Sequence, residues 1–275
     1  MLRLIGASAY HVPVMSVELL FLGTGTSAGV PMIGCYCPVC TSNDPRDKRT
    51  RPSVVISYQN TKVLVDTTPE LRLQCIANRV DSIDAIVYTH AHADHIMGLD
   101  DVRRFNALRN TPLDVWADQR THDGLQRCFG YAFREPDPSA KIFRPHLLHH
   151  LIGGPFQIGP AKWIPVPLFH GEMPILGFRV GSLAYCTDVS RIPDESFDLL
   201  KNLDVLVLDG LQFHSHPTHF SIPEAIEAAD KIGAKMTYLT HIAHGVHHES
   251  DSGKLPPNVA LAYDGLRVAA GRPEN

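Results

Sequence analysis

The stretch Thr89-His90-Ala91-His92-Ala93-Asp94-His95 carries the pattern that decides the fold. Three imidazoles and one carboxylate lie within six positions, and each of these groups is a common ligand of divalent metals. His90 and His92 are two residues apart, so they project to the same side of an extended segment. Asp94 and His95 follow at the predicted start of a helix and can face a second point nearby. The stretch therefore predicts metal binding.

Other His and Asp residues follow strands elsewhere in the sequence. Strands predicted at 162–168, 183–186 and 236–239 lead to His170, Asp188 and His241. Because the ends of several strands meet at one edge of a sheet, a rigid scaffold can gather one site from distant parts of the chain. With one shared carboxylate, these groups suit two ions about 3.5–4 Å apart, as in two-metal hydrolases. Imidazole and carboxylate donors fit zinc, manganese or iron.

The hydrophobic pattern begins with strands and then alternates strands with helices, which predicts an α/β protein. Further strands are predicted at 17–22, 54–58, 62–66, 85–88, 114–117, 176–180 and 204–208, and helices at 70–77, 97–108, 119–129 and 221–233. The segment 134–160 is rich in Pro and Gly and carries no clear pattern.

Composition limits the classes of function. The 275 residues have a formal net charge of −4, which gives no broad positive field and makes a nucleic-acid polymer an unfavourable partner. No apolar stretch approaches the roughly 18 residues of a membrane span, so no membrane association is expected. We expect a dispensable N-terminal tail at 1–15, with Met15 as a candidate start, one domain at 16–275, and a cytoplasmic location.

Three of the six cysteines form a cluster, Cys35-x-Cys37-x-x-Cys40. Three thiols so close together suit a tetrahedral zinc site with a fourth ligand from elsewhere. Redox-active or simply reduced thiols remain alternatives. Upstream, Gly23, Gly25 and Ala28 match a dinucleotide-binding turn, but the helix that this turn requires does not follow.

The T-H-x-H-x-D-H motif, the later His170, Asp188 and His241, and the turn at 22–27 resemble the metallo-beta-lactamase superfamily over about residues 17–268. The resemblance implies an α/β fold, a four-layer αββα sandwich of two mixed β-sheets flanked by helices. It specifies the fold and the metal site much more closely than the substrate.

A second group of motifs resembles the phosphoribosyl cyclic phosphodiesterase family of the carbon–phosphorus lyase pathway. These motifs are the Cys cluster with the Arg-rich stretch 46–51, Pro217-Thr-His219-Phe-Ser, and Thr240-His241-Ile-Ala-His244. The resemblance implies one active-site metal on His90, His92 and His170, another on Asp94, His95 and His241, a bridging Asp188, and a structural zinc on Cys35, Cys37, Cys40 and His244. It also implies that His219 is the general acid; the alternative is that His219 is a solvent-exposed loop residue beside His214 and His216.

These inferences predict a hydrolase with two divalent ions, zinc or manganese, that cleaves small, cyclic phosphodiesters through a metal-bridging hydroxide. Asp94 and His219 are the catalytic candidates, and Asp66 either orients a metal-bound histidine or is a turn residue. The expected partners are a small anionic ester and, as an open alternative to a monomer, a second copy in a homodimer.

Other functions remain as alternatives. Other hydrolases share the superfamily scaffold, namely a ribonuclease of the transfer-RNA 3′-processing type, a thioesterase and a lactonase. A non-catalytic metal-binding accessory protein, like the cofactor-biosynthesis member of the superfamily, is the alternative outside the enzymes.

Overall fold

The computed structural model describes residues 16–135 and 143–271, so the predicted tail at 1–15 lies outside the described residues. Fourteen strands are described: β1 (Val17–Gly23), β2 (Ser53–Tyr58), β3 (Thr61–Val65), β4 (Ala85–Val87), β5 (Leu113–Ala117), β6 (Leu147–Leu151), β7 (Phe156–Ile158), β8 (Ala161–His170), β9 (Met173–Val180), β10 (Leu183–Cys186), β11 (Val205–Asp209), β12 (Met236–Thr240), β13 (Val259–Leu261) and β14 (Arg267–Ala270).

Seven α-helices accompany the strands in the described ranges: α1 (Leu71–Asn78), α2 (Ala93–Ile96), α3 (Arg103–Arg109), α4 (Gln119–Phe129), α5 (Asp194–Leu199), α6 (Ile222–Ile232) and α7 (His248–Ser252). Short 3-10 turns lie at Pro45–Asp47, Leu99–Val102 and Gly130–Phe133. None of the helices in this part of the chain is long and apolar enough to cross a membrane.

The strands form two seven-stranded sheets with the same pattern of pairing. The first sheet has the order β14-β1-β2-β3-β4-β5-β6, and the second has the order β13-β12-β11-β10-β9-β8-β7. In the first sheet, pairing is antiparallel from β14 to β3 and parallel from β3 to β6. In the second sheet, pairing is antiparallel from β7 to β10 and parallel from β10 to β13.

Three apolar cores define the layers. One core lies between the sheets and contains Phe21, Trp163 and Phe178. A second core packs the first sheet against α1, α3 and α4, and a third packs the second sheet against α6. The capping box between Ser221 and Glu224 begins α6, as the sequence predicts. The four-layer αββα sandwich of two mixed sheets is therefore confirmed.

The predicted helix at 97–108 is wrong in its first half, where Leu99–Val102 forms a 3-10 turn and α3 begins only at Arg103. Gly98, a weak helix former, lies just before this turn and packs so closely on Thr68 that a Cβ would overlap the Thr68 carbonyl oxygen. The segment 134–160, which has no clear sequence pattern, contributes the edge strands β6 and β7.

The parallel strands of both sheets deliver polar side chains at their carboxyl ends. Asp66 follows β3, Asp188 follows β10 by two residues, and His241 follows β12. All three adopt left-handed backbone conformations, with φ of 63°, 58° and 58°. Such conformations cost about 1–3 kcal/mol each and concentrate at functional sites. Each one turns the chain sharply at the end of its strand.

Candidate metal centre

The histidine motif leaves β4 as an extended turn and enters α2, so its four polar side chains are presented from the end of one buried strand. His90 and His95 are buried, whereas His92 is exposed. The rings of His90 and His92 have centroids 4.6 Å apart, and the His170 ring at the end of β8 lies 5.7 and 5.0 Å from them. The structure thus brings together the three histidines predicted for one metal.

A second group brings ligand atoms of Asp94, His95, Asp188 and His241 within 4.8 Å of one another. Asp188 occupies its centre. Its Oδ1 lies 3.3 Å from His95 Nε2, and its Oδ2 lies 3.3 Å from His241 Nε2. The same Oδ2 lies 3.8 Å from His90 Nε2. One carboxylate therefore faces histidines of both predicted metal sets.

The free nitrogens of these histidines provide a test of whether a cation fits. The Nε2 atoms of His90, His95 and His241 are buried and have no hydrogen-bond partner among the described residues. In two of the predicted ligands the other ring nitrogen, Nδ1, is hydrogen-bonded to the protein. His95 Nδ1 donates to Asp66 at 2.8 Å, and His170 Nδ1 donates to the Thr218 carbonyl at 2.6 Å. Nitrogens left bare in this way, beside carboxylates, fit divalent metal ions.

Charge within the cluster supports the same conclusion. Burial opposes ionisation of Asp188, but the charges at His241 and His95 outweigh it and hold the pKa of Asp188 well below its usual range. Burial likewise opposes ionisation of Asp94, and His95 with His241 lowers its pKa. Two buried carboxylates that remain ionised require positive charge beside them; here the histidines supply it, and a bound divalent cation would supply it in their place.

Asp66 lies beneath the cluster and contacts it through His95. Its Oδ1 accepts a hydrogen bond from the Thr89 amide at 2.9 Å, and its Oδ2 accepts bonds from the Thr89 hydroxyl and His95 Nδ1, both at 2.8 Å. The sequence left Asp66 either as an orienting residue or as a turn residue. The geometry places it where a carboxylate orients a ligating histidine.

His219 lies at the edge of the cluster, and its partner is a residue that the sequence analysis missed. Its Nδ1 shares a hydrogen bond of 2.7 Å with Oδ2 of Asp209. The His219 ring stacks on the His241 ring at 4.5 Å and lies 4.6 Å from the His170 ring. Burial raises the pKa of Asp209 and lowers the pKa of His219 to about 4.

Hydrogen bonds between loops hold His219 in place. The amide of Phe220 donates to Val189 O, one residue after Asp188, and Leu211 N donates to Phe220 O. Ala243 N in turn donates to Leu211 O, so the loop beyond His241 joins the same network. Three loops that carry predicted site residues are thereby linked.

The cysteine cluster forms a separate group with His244. Ligand atoms of Cys35, Cys37, Cys40 and His244 lie within 4.8 Å of one another, and all three cysteines are free thiols. His244 Nδ1 lies 3.3 Å from Cys35 Sγ and 3.4 Å from Cys37 Sγ. The Cys40 amide donates to Cys37 Sγ and, as the largest influence, lowers the pKa of Cys37 to about 6. A Cys₃His set suits zinc.

The turn at 23–28 packs against the loop that carries both His241 and His244. Gly25 forms a β-bridge with Ile242, and Thr26 N donates to Ile242 O at 3.1 Å. A Cβ at Gly25 would lie 2.6 Å from the Arg49 carbonyl oxygen, so only glycine allows this close approach. This turn therefore supports the metal loops, and no helix follows it to bind a dinucleotide.

Comparisons with known proteins agree with this geometry. The chain is 37% identical over 256 residues to an octanoyltransferase of Porphyromonas gingivalis; the match covers 92% of this chain but 51% of that protein. The chain thus spans about half the length of that curated relative. It also resembles a solved diphosphatase from the PhnP family, with 44% identity, a TM-score of 0.87, and coverage of 93% of this chain and 98% of that one.

The fold extends to more distant structures. Zn²⁺-bound PqqB from Methylobacterium extorquens has a TM-score of 0.71 at 18% identity, covering 91% of this chain and 99% of that one. Residues 61–242 match the family model described as a beta-lactamase superfamily domain. This match spans the histidine motif, His170, Asp188 and His241. The chain therefore belongs to the beta-lactamase superfamily, whose fold here carries a cluster of His and Asp side chains that fits divalent metal ions.

Proposed function

We propose that the chain hydrolyses small phosphodiesters, cyclic phosphodiesters among them, at a site that holds two divalent ions, zinc or manganese. The observation that carries the proposal is the His219–Asp209 pair, because it offers a proton donor that neither predicted metal set uses. Its ligand atoms lie close to the cluster, with one atom each of His170, Asp188 and His219 within 4.8 Å of one another. The 44% identical diphosphatase of the PhnP family supports it further. Hydrolysis of a diphosphate and hydrolysis of a phosphodiester both break a P–O bond at an anionic phosphoryl group.

In this proposal the ligands divide as the sequence resemblance implies. His90, His92 and His170 would hold one ion, Asp94, His95 and His241 the other, with Asp188 between them, and Cys35, Cys37, Cys40 and His244 would hold a structural zinc. Divalent ions at such a centre polarise phosphoryl oxygens and lower the pKa of bound water. Thiolate ligands kept reduced fit a cytoplasmic location.

The protein's own groups supply positioning and proton transfer. Asp66 and the Thr218 carbonyl fix the rings of His95 and His170, so the chelating nitrogens need no rearrangement when substrate binds. His219 Nδ1 is hydrogen-bonded to Asp209, so Nε2–H can donate its proton to the departing alkoxide while the proton shared with Asp209 moves to Nδ1. Asp94, held ionised, can accept a proton from the attacking water.

The proton donor separates this proposal from the alternatives. An accessory protein that only binds metal has no need of a histidine held by a buried carboxylate beside the metal ligands. A net charge of −4 also disfavours an RNA polymer as substrate relative to a small ester. Thioesterase and lactonase activities are distinguished by the substrate panel below.

The test is a turnover panel with metal-reconstituted protein on 2′,3′-cyclic nucleotides, ribose cyclic phosphates, diphosphates, thioesters and lactones. We expect the cyclic phosphodiesters to give the highest kcat/KM. His219→Ala should reduce their turnover by about 10²–10⁴-fold with metal content unchanged, as expected for loss of a general acid. His214→Ala, an exposed histidine in the same loop, is the matched control. Preferential turnover of thioesters or lactones, or full activity of His219→Ala, would contradict the proposal.

A further inference from the structure

An exposed histidine, His216, lies next to His219 and takes no part in the chemistry described above. The ring centroids of His216 and His219 are 5.2 Å apart. Two other histidine rings contact His219, those of His241 and His170, and both residues are buried. His216 is exposed. It therefore borders His219 on the side that is open to solvent.

The hydrogen bonds of His216 fix which of its ring nitrogens carries the proton. The backbone amide of Thr218 lies 3.4 Å from His216 Nδ1, and the Thr218 hydroxyl lies 3.3 Å from the same atom. Because a backbone N–H can only donate, Nδ1 must accept and cannot carry a proton. In the neutral ring the proton is then on Nε2. Among the described residues no group hydrogen-bonds to this Nε2, so its N–H is available to a ligand.

The backbone around His216 restricts where its ring can lie. Pro217 has a fixed φ and favours an extended conformation in the residue before it. Thr218 also contacts the metal centre, because its carbonyl accepts the 2.6 Å hydrogen bond from His170 Nδ1. One residue thus joins the ring of a predicted metal ligand to the ring of His216. A donor that is held in place before the substrate arrives loses little conformational entropy on binding.

The geometry of phosphoryl hydrolysis brings the leaving group to this donor. In an in-line displacement the departing oxygen lies opposite the attacking water. In the proposed function His219 protonates the departing oxygen, so the rest of the leaving group extends away from His219. A buried carboxylate and two buried histidine rings occupy the inner sides of His219. The leaving group therefore extends toward the exposed side, where His216 lies.

We propose that His216 is a specificity-determining residue, whose Nε2–H donates a hydrogen bond to an oxygen of the leaving group close to the departing oxygen. This role rests on the proposed function and specifies the leaving group of that reaction. A sugar offers hydroxyl and ring oxygens at such positions, whereas a hydrocarbon diol offers none once both of its hydroxyls are esterified. A site built to hydrogen-bond a substrate rejects an analogue that lacks the partner atom. His216 therefore favours sugar esters over hydrocarbon esters.

The test compares two substrates of the metal-loaded full chain: a ribose cyclic phosphate and the cyclic phosphate of cis-cyclopentanediol, which has the same phosphate ring but no other oxygen. His216→Asn should reduce kcat/KM for the ribose ester by about 3–10-fold, mainly through KM, and for the cyclopentane ester by less than about 2-fold. Asn keeps an acceptor near the position of Nδ1, so the contact with Thr218 persists while the donor is lost. His216→Gln places an amide donor near the position of Nε2 and should restore part of the selectivity. His214→Ala, exposed in the same loop, is the matched control.

Nitrogen-15 NMR of the unmodified chain gives a second readout that requires no turnover. With the signals assigned by comparison with His216→Asn, Nε2 of His216 should carry the proton and Nδ1 should not. The opposite tautomer, equal losses on both esters in His216→Asn, no loss on either, or the same selective loss in His214→Ala would overturn the role of His216 and leave the proposed function standing. Turnover of neither ester by the unmodified chain would contradict the proposed function and this role together.

Discussion

Oδ2 of Asp66 lies 2.8 Å from Nδ1 of His95, so the residue after β3 fixes a ring that follows β4. The two strands pair in parallel, with Val65 opposite Val87. This register places Asp66 beside Thr89, and its carboxylate accepts bonds from both Thr89 and His95. The imidazole is thereby presented with Nε2 toward Asp188, in the orientation that a metal ligand needs.

Asp66→Asn should weaken metal binding without unfolding the protein. The amide group offers one acceptor and two donors, so it cannot accept all three bonds, and His95 loses its fixed tautomer. Removal of such a partner typically reduces metal affinity by about 10–100-fold. Competition with a chromophoric chelator measures the change. Asp114→Asn, which breaks the 2.6 Å contact with His150, is the control and should leave affinity unchanged.

Asp209→Asn should lower kcat by at least about 10-fold while KM and metal content stay near their original values. Asp209 shares a proton with His219 Nδ1 that the amide cannot pass to the ring, so the general-acid limb of the pH–rate profile should shift in the variant. Asp209→Glu should restore part of the rate. Asp204→Asn, just before the start of β11, is the control. An unchanged pH profile in Asp209→Asn would count against the assigned role.

Cys37→Ser should remove one zinc per chain and destabilise the fold. Loss of a structural metal ligand costs at least about 2 kcal/mol, which corresponds to a melting temperature lower by roughly 4–8 °C in a protein of this size. Metal analysis and calorimetry measure both effects. Because His244 shares a loop with His241, turnover should fall as well. Cys128→Ser, at an exposed cysteine, should change neither quantity.

Stability should decrease in mild acid partly because of His248. Burial lowers the pKa of His248 to about 4, and the positive charge of Arg49 is the second cause. Arg49 Nη2 lies 3.1 Å from His248 Nδ1. In the unfolded chain this histidine takes up a proton near pH 6.5, whereas in the folded chain it does so only near pH 4. The contribution of neutral His248 to the free energy of unfolding is therefore complete above about pH 6.5 and is lost as the pH falls toward 4. Urea unfolding of His248→Gln should show a flatter pH dependence than the unmodified chain. Equal slopes for both would contradict this assignment.

Much of the site could be predicted because its candidate ligands lie in one short motif or directly after predicted strands. Asp209 was missed although the same signal was present, since the predicted strand at 204–208 also leads into an aspartate. His219 could be proposed only by resemblance, because its loop has no periodicity. The close packing of Gly98 on the Thr68 backbone is a contact between loops that local sequence does not contain. Strands β6 and β7 escaped prediction because both are short edge strands.

His241 and His244 are separated by only two residues, yet they belong to two different ligand groups. The left-handed conformation at His241 and the bridge from Ile242 to Gly25 set the path of the chain between the groups. The structure therefore constrains the number of residues between His241 and His244 more strictly than it constrains which residues they are. Substitutions of Ile242 or Ala243 can be absorbed by repacking, whereas inserting or deleting a single residue there would misplace a ligand in one centre or the other.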